Sequence, residues 1–299
     1  MAFPNFRAAP LTAALVMFSG AALAHGFAGA RFFPATLITD DPFVADEWSF
    51  PTLSWFRDED DVATSTASMD FAKRITSNLG VELAETYVGL RPIGAHSAAG
   101  FDNLSVGLKY QLLVDGPHET ILALGADTDI GGTGAMRIGA DDFTTVTPAI
   151  FFGKGFGDLS AGMSLLRPLA ITGSVGVGVP VTSRVPGGPA DVLEIGFALE
   201  YSLIYLQTQV RDLGMRAPFD RMIPLVEMSF QKPLDYAIQR ITGTIAPGVL
   251  WAGQYVQISA EALVPLNGSS GHGIGFIAQL HFYIDDLFPQ SLGRPLLGA

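Results

Sequence analysis

Polar side chains recur at alternate positions of otherwise apolar segments, and these are the residues best suited to do chemistry. The set comprises Asp70, Glu82, Lys109, Gln111, Glu194, Glu200, Glu227, Glu261, Gln279 and His281, together with Arg74 and Gln257. Six of its members are acids and two are bases, so an enclosed surface lined by them would favour cations over anions. Alternatively, the same side chains pair with one another and fill a narrow interior.

A second kind of chemistry would start from His25. As the first residue of a processed chain it could chelate copper through its amine and its ring, since imidazole suits copper. A second ligand would come from His96, His118, His272 or His281. No spacing in the sequence brings any of these close to His25, so we expect no metal site and keep a copper-binding periplasmic protein only as a further alternative.

Motifs for other activities are missing from the sequence. There is no G-x-S-x-G and no phosphate-binding loop, so we expect no enzyme and no cofactor. The acidic run at 57–61 lacks the D-x-D-x-D-G pattern of a calcium loop, and we interpret it as a solvated turn. A net charge of −12 argues against a nucleic acid partner, because phosphate binding needs clustered Lys and Arg.

The elements that would position the polar set are long β-strands. Clean alternation covers 104–114, 193–205 and 274–284, each close to the roughly 9–11 residues of a tilted membrane strand. Weaker alternation covers 65–75, 79–90, 119–129, 144–156, 169–181, 223–231, 243–252 and 255–266. Single-chain bacterial barrels have an even number of strands, so we predict about twelve, with 159–166 as the twelfth and ten as the fallback. Pro148 and Pro247 fall inside these segments and speak against their boundaries.

The two faces of these strands indicate a lipid environment. One face is bulky and apolar, while the other carries Gly, Ala, Ser and Thr with scattered charges. Only 15% of the chain is charged against 48% hydrophobic, which is too little charge to solvate such a long outer surface. The pattern predicts an all-β protein, a closed antiparallel transmembrane β-barrel with its apolar face outside. A secreted β-sandwich would bury that face instead.

The ends of the chain complete the predicted organisation. Arg7, the apolar stretch 11–23 and the A-x-A sequence at 22–24 are typical of a signal peptide over 1–24, cleaved after Ala24. Residues 25–62 would form a plug or lie at the periplasmic rim, 63–285 would form the barrel, and 286–299 would be an extension. We therefore expect an outer-membrane location, with the lipid bilayer, lipopolysaccharide and the barrel-assembly machinery as partners.

Two C-terminal stretches carry a resemblance to a known group. Residues 242–267 (TGTIAPGVLWAGQYVQISAEALVPLN) and 273–289, with AHGFAGARFFPATLITDDPFVADEWSFP near the N-terminus, resemble outer-membrane barrels grouped under the MetA pathway of phenol degradation. The resemblance implies an outer-membrane channel for small, hydrophobic or aromatic compounds and transfers no catalytic residue. We expect a channel or uptake porin with an acidic lumen. The alternative is a non-conducting structural or partner-binding barrel.

Overall fold

The computed structural model describes residues 26–182, 188–234 and 240–298. The predicted signal peptide at 1–24 and the copper hypothesis for His25 lie outside the described residues. Within the described ranges, no helix is both long enough and apolar enough to cross a membrane.

Twelve long strands form the wall of the molecule. They are β1 (Glu47–Arg57), β2 (Ala63–Arg74), β3 (Leu79–Arg91), β4 (Leu104–Asp115), β5 (Thr120–Ile130), β6 (Thr144–Gly155), β7 (Leu169–Val181), β8 (Val192–Tyr201), β9 (Met222–Pro233), β10 (Thr242–Ala252), β11 (Val256–Pro265) and β12 (Gly275–Tyr283). Each is antiparallel to the next, and β12 pairs with β1, which closes the sheet. The prediction of a closed twelve-stranded antiparallel barrel is confirmed.

The twelfth strand is β1, and the sequence-based choice of 159–166 was wrong. That segment lies in a loop whose residues Ala161–Leu166 form a 3-10 helix. The wall therefore runs from 47 to 283 rather than from 63 to 285. Alternation missed β1 because the register of its pairing with β2 shifts between Ser49 and Thr52, which changes the phase of the inward side chains. The strand predicted at 193–205 ends at Tyr201.

The remaining elements are short. Strands Phe27–Ala28 and Arg31–Phe32 form a small hairpin, and Ala98–Phe101 pairs with β3. Helix α1 (Leu203–Tyr205) continues into the π-helix Leu206–Val210, and α2 (Ile284–Leu287) follows β12. The other 3-10 helices are Met136–Ile138, Phe219–Arg221 and Gly268–Ser270.

The two ends of the barrel carry different connections. At the end where β1 begins and β12 ends, called the plug end below, the strands are joined by 75–78, 116–119, 156–168, 202–221 and 253–255. At the opposite end, called the far end, the described connections are 58–62, 92–103, 131–143 and 266–274, with parts of 182–191 and 234–241.

Large apolar side chains cover the outside of the wall. Exposed outward residues include Leu53, Leu83, Leu108, Leu124, Ile150, Val175, Leu199, Val249, Ile258 and Phe276. Most of their inward neighbours are small or polar, as the alternation predicts, and the exceptions, such as Phe151, Leu250 and Ile277, are buried inside the barrel. The buried apolar core lies inside the barrel, where Phe33 and Phe43 of the N-terminal segment pack against Ile121 and Ala170 of the wall.

Candidate functional site

Residues 26–46, called the plug, lie inside the barrel. Arg31 and Phe33 are completely buried, and Asp46 at the end of the plug is also inaccessible to solvent. The chain enters at the plug end, rises along the inner wall to about residue 40, and returns to the plug end before β1 begins. Four groups of polar contacts hold it there, and each joins the plug to a different part of the barrel.

The first contact group surrounds Glu227 of β9. Its carboxylate accepts hydrogen bonds from the backbone N–H groups of Leu37 (2.6 Å), Ile38 (2.9 Å) and Thr39 (2.8 Å), and from the Thr39 hydroxyl (3.0 Å). Three consecutive backbone donors therefore point at one buried side chain. This arrangement satisfies the backbone of a segment that has no sheet partner of its own, as burial requires.

The second contact group surrounds Arg31 at the plug end. Its guanidinium donates to Glu119 (3.1 Å) and to the carbonyl oxygens of Pro168 (2.9 Å) and Arg167, and it stacks 3.8 Å from the centre of the Tyr205 ring. The Tyr205 hydroxyl donates to Glu119 at 2.7 Å. Burial, and then that hydrogen bond, raise the pKa of Tyr205 to about 12. The plug is thus tied to three connections of this end.

The third contact group joins the plug to the C-terminal segment. Asp46 pairs with Lys73 (2.8 Å) and Arg74 (2.8 Å) of β2. The same cations donate to the carbonyl oxygens of Leu292 and Gly293, each at 2.8 Å. Two bases therefore connect the last plug residue with the segment that follows the barrel.

The fourth contact group lies midway along the lumen. Lys109 of β4 donates to Asp40 at 2.7 Å and lies 3.7 Å from Asp41, while Gln111 accepts from the backbone N–H of Val44 at 3.2 Å. Burial raises the pKa of Asp41 well above its usual value, and the charge of Lys109 opposes that shift. Lys109 therefore neutralises part of the negative charge that the plug brings into the barrel.

Between the plug and the wall of β1, β2, β3, β4, β5 and β12 is a cavity of about 340 Å³, called the acidic chamber below. Its acidic lining residues are Asp40, Asp41, Glu47, Asp70, Glu82 and Asp127. A second cavity of about 320 Å³ shares Ala84, Thr86 and Ser105 with the chamber and extends to the far-end loops. It adds Asp102, Asp129 and Asp141 to the lining, so the negative surface continues towards the far end.

The structure divides the inward polar residues predicted from sequence into three groups. Asp70, Glu82, Gln279 and His281 line the acidic chamber. Lys109, Gln111, Glu227, Arg74 and Gln257 contact the plug or its ends. Glu200 and Glu261 are buried in the wall beneath the plug, and Glu194 lies nearer the far end.

Three of these residues are shielded from any solute. Glu200, Glu227 and Glu261 are at most 4% exposed, so with the plug in place they line no solute passage. From sequence, these acids either line a cation-selective lumen or fill a narrow interior, and their burial favours the second alternative.

Several site residues were missed by sequence reasoning. Asp127 stands in the inward phase of β5, so alternation alone could have identified it. Asp40 and Asp41 carry no such signal, because the plug follows no strand period. Among the described residues, no three side chains of His, Asp or Glu converge as ligands of a metal ion.

Comparisons with known proteins identify similar folds. The barrel is similar to the NanC porin, with 8% identity over 78% of this chain and 98% of that one, at a TM-score of 0.49. It is also similar to the β domain of the Bordetella autotransporter BrkA (13% identity, 80% and 99% coverage, TM-score 0.42) and to the translocator domain of the autotransporter NalP from Neisseria meningitidis (8%, 80% and 87%, 0.41). No family model and no curated protein sequence matches the chain.

Proposed function

We propose that this chain is an outer-membrane barrel for the uptake of small solutes, in which the plug controls passage. Closure of the sheet satisfies the backbone hydrogen bonds of every wall strand, as a bilayer requires. Exposed large apolar side chains lie on the outer face of ten of the twelve wall strands. Trp48 and Trp55 both point outwards from β1 and lie seven residues apart, which is about 23 Å along a strand and close to the ~25 Å apolar band of such barrels.

The orientation follows from the connections. Three of the five connections at the plug end contain three or four residues, as periplasmic turns do. We therefore assign the plug end to the periplasm and the far end, where every connection has five or more residues, to the cell exterior and lipopolysaccharide. Insertion in this orientation by the barrel-assembly machinery is part of the proposal.

The observation that carries the function is the position of the plug. Residues 26–46 lie across the lumen at the plug end and are held to the wall by ion pairs and hydrogen bonds. The sequence has no cysteine, so no disulfide links the plug to the wall. Ion pairs and hydrogen bonds can be broken and remade, so solute passage requires displacement of the plug rather than diffusion through a permanently open pore. The acidic lining favours cationic solutes over the aromatic compounds that the family resemblance implies.

The test is conductance in planar bilayers. The chain contains no cysteine, so a single engineered pair can be oxidised selectively. In Val44→Cys/Gly80→Cys, the Cβ built at residue 80 lies 3.9 Å from that of residue 44, close to the ~3.8 Å mean of disulfides. We expect brief openings of the wild type, none in the oxidised pair, and recovery with reductant.

A variant that lacks residues 26–45 serves as the second measurement. It should insert, show the mobility shift of a closed barrel on boiling, and conduct constitutively. If this variant inserts and passes no current, the uptake proposal is wrong. The alternative of a non-conducting, partner-binding barrel then takes its place.

A further inference from the structure

We propose that the acidic chamber is a binding site for a small organic cation that carries two or more spaced amine groups. This inference rests on the proposed function in one respect, that solute reaches the chamber from the far end. It goes further in naming a ligand class and the residues that hold it.

Besides Glu47 of β1, the wall side of the chamber contains three carboxylates, on β2, β3 and β5. In the sheet, Glu82 of β3 is directly opposite Gly107 of β4, and Gly107 is directly opposite Asp127 of β5. A Cβ at residue 107 would lie 2.6 Å from the Asp127 carboxylate and 3.1 Å from the Glu82 Cβ. The absence of a side chain at Gly107 therefore lets the Asp127 carboxylate lie over the glycine, close to Glu82, and Asp70 of β2 borders the same chamber.

These three wall acids form no ion pair within 4 Å in the described part of the chain. Around the chamber, Lys109 pairs with Asp40 and Asp41 of the plug and His281 lies 3.3 Å from Glu47, but no base among the described residues lies within 4 Å of the wall acids Asp70, Glu82 and Asp127. All three are half-buried, so they border the chamber and remain accessible to a solute. An incoming cation would relieve their mutual repulsion.

A neutral acceptor points to the same ligand chemistry. Gln279 of β12 is only 8% exposed and also lines the chamber. Its amide nitrogen donates to the Thr52 hydroxyl at 3.1 Å, whereas its carbonyl oxygen accepts no hydrogen bond from any described residue. A buried acceptor without a donor is costly, and a ligand N–H group would satisfy it.

The size and spread of the acceptors select an elongated amine. A volume of about 340 Å³ corresponds to roughly eleven waters at ~30 Å³ each and lies within the range of small-molecule sites. The acceptors come from the plug, from three wall strands and from β12. An ammonium group donates three hydrogen bonds, so two such groups on a short chain would reach acceptors on opposite sides of the chamber.

The experiment is titration calorimetry of the full chain, folded in detergent at low ionic strength, with 1,5-diaminopentane as the probe. We expect saturable binding at one site. The variant Glu82→Gln/Asp127→Asn should bind at least about tenfold more weakly, because it removes two charged acceptors of the ammonium groups. Glu194→Gln, which removes an inward acid outside the chamber lining, should change affinity less than about twofold. Heat-modifiability on gels confirms that each variant forms the closed barrel.

Three outcomes would overturn the inference: no saturable binding by the folded wild type, equal weakening in the double variant and in Glu194→Gln, or equally effective competition by Mg²⁺. The last would mean that the chamber only collects counterions. Binding of 1,5-pentanediol as tight as that of the diamine would also contradict it. Amine binding without conductance supports this inference and overturns the uptake proposal, whereas plug-dependent conductance without amine binding does the reverse.

Discussion

The Glu227 contacts make the strongest prediction about the plug. Glu227→Gln keeps the size of the side chain and replaces one of its two carboxylate oxygens with an NH₂ group. The new amide can be placed with its oxygen at the position of either carboxylate oxygen. With the oxygen at the Oε2 position, it keeps the hydrogen bonds from the Ile38 and Thr39 N–H groups and the Thr39 hydroxyl. The N–H of Leu37 then loses its acceptor and faces the NH₂ group instead.

The magnitude follows from these bonds. Losing one charge-assisted hydrogen bond costs about 2 kcal/mol, and weakening three others to neutral bonds costs about 2 kcal/mol more. A total of about 4 kcal/mol raises the population with the plug tip released by a factor of nearly 10³. The contacts of Arg31, Asp46 and Lys109 remain, so release should be confined to residues near 35–39.

Single-channel recording in planar bilayers is the assay, with open probability as the readout. Glu200→Gln is the matched control, because Glu200 is also a buried inward acid and lies on the adjacent strand. Its carboxylate accepts a hydrogen bond from the Thr172 hydroxyl of the wall at 3.3 Å. We expect a large rise in open probability for Glu227→Gln and little change for the control.

A disulfide between the plug tip and the wall should reverse the effect. In the Glu227→Gln background, Thr39→Cys/Gly196→Cys places the two Cβ atoms about 3.2 Å apart, so slight relaxation would allow the bond. Oxidation should close the channel and reductant should open it again. Equal open probabilities for Glu227→Gln and Glu200→Gln in inserted barrels would refute the assignment of Glu227 as the plug anchor.

Three further changes test the wall and the plug end. Leu108→Arg on the outer face should lower the free energy of unfolding in lipid vesicles by about 2–4 kcal/mol, and the smaller loss expected for Leu108→Ala is the comparison. Because the pKa of Tyr205 is about 12 in the folded chain against 10 ordinarily, the unfolded state releases this proton first and stability should fall from pH 10 to 12. Urea titrations should show a shallower fall for Tyr205→Phe, and an unchanged slope would contradict the assignment. Gly196→Val should displace the plug, because a Cβ at residue 196 would lie 2.8 Å from Thr39 Cγ2, and tryptic cleavage in the plug should increase. Gly178→Val is the control and should not increase cleavage, because a Cβ at residue 178 would lie 3.4 Å from its nearest atom, Thr147 Oγ1.

The wall could be predicted from sequence because each of its strands has one face towards lipid and the other towards the lumen. A side chain on β4 or β8 faces either lipid or lumen, and that choice repeats every second residue. The prediction failed at β1, where a shift in register between Ser49 and Thr52 interrupts the repeat. A local irregularity is enough to hide a strand whose pairing is otherwise complete.

Two prolines show how the wall tolerates residues that argue against strands. Pro148 of β6 pairs with Ala126 of β5, but the ladder from β6 to β7 is interrupted between Val146 and Ala149. Pro247 of β10 pairs with Val226 of β9, and its ladder to β11 is interrupted between residues 245 and 248. Each proline therefore sits where one neighbouring ladder is broken, so its missing N–H leaves little unsatisfied.

The candidate site could likewise be predicted from sequence only in part. Alternation identified Asp70, Glu82 and Glu227 as inward residues, because their direction depends only on the strand that carries them. It could not identify which of them would meet solute, since that depends on contacts with residues more than 100 positions away. Glu227 contacts Thr39 in this way, and no periodic signal marks a segment whose backbone is satisfied by scattered side chains.

The small inward residues of the wall also show that the strand pattern alone does not reveal what fills the barrel. In sequence, a face of Gly, Ala and Ser indicates space inside the barrel and does not tell what fills it. In the structure, a Cβ at Gly153 would lie 3.1 Å from Pro42 and 3.3 Å from Phe33, so that space is occupied by the plug. The small inward residues therefore match the volume of whatever fills the barrel. A barrel of this kind is filled by chain rather than water when a segment outside the strands supplies both side-chain volume and hydrogen-bond donors. Residues 26–46 supply both.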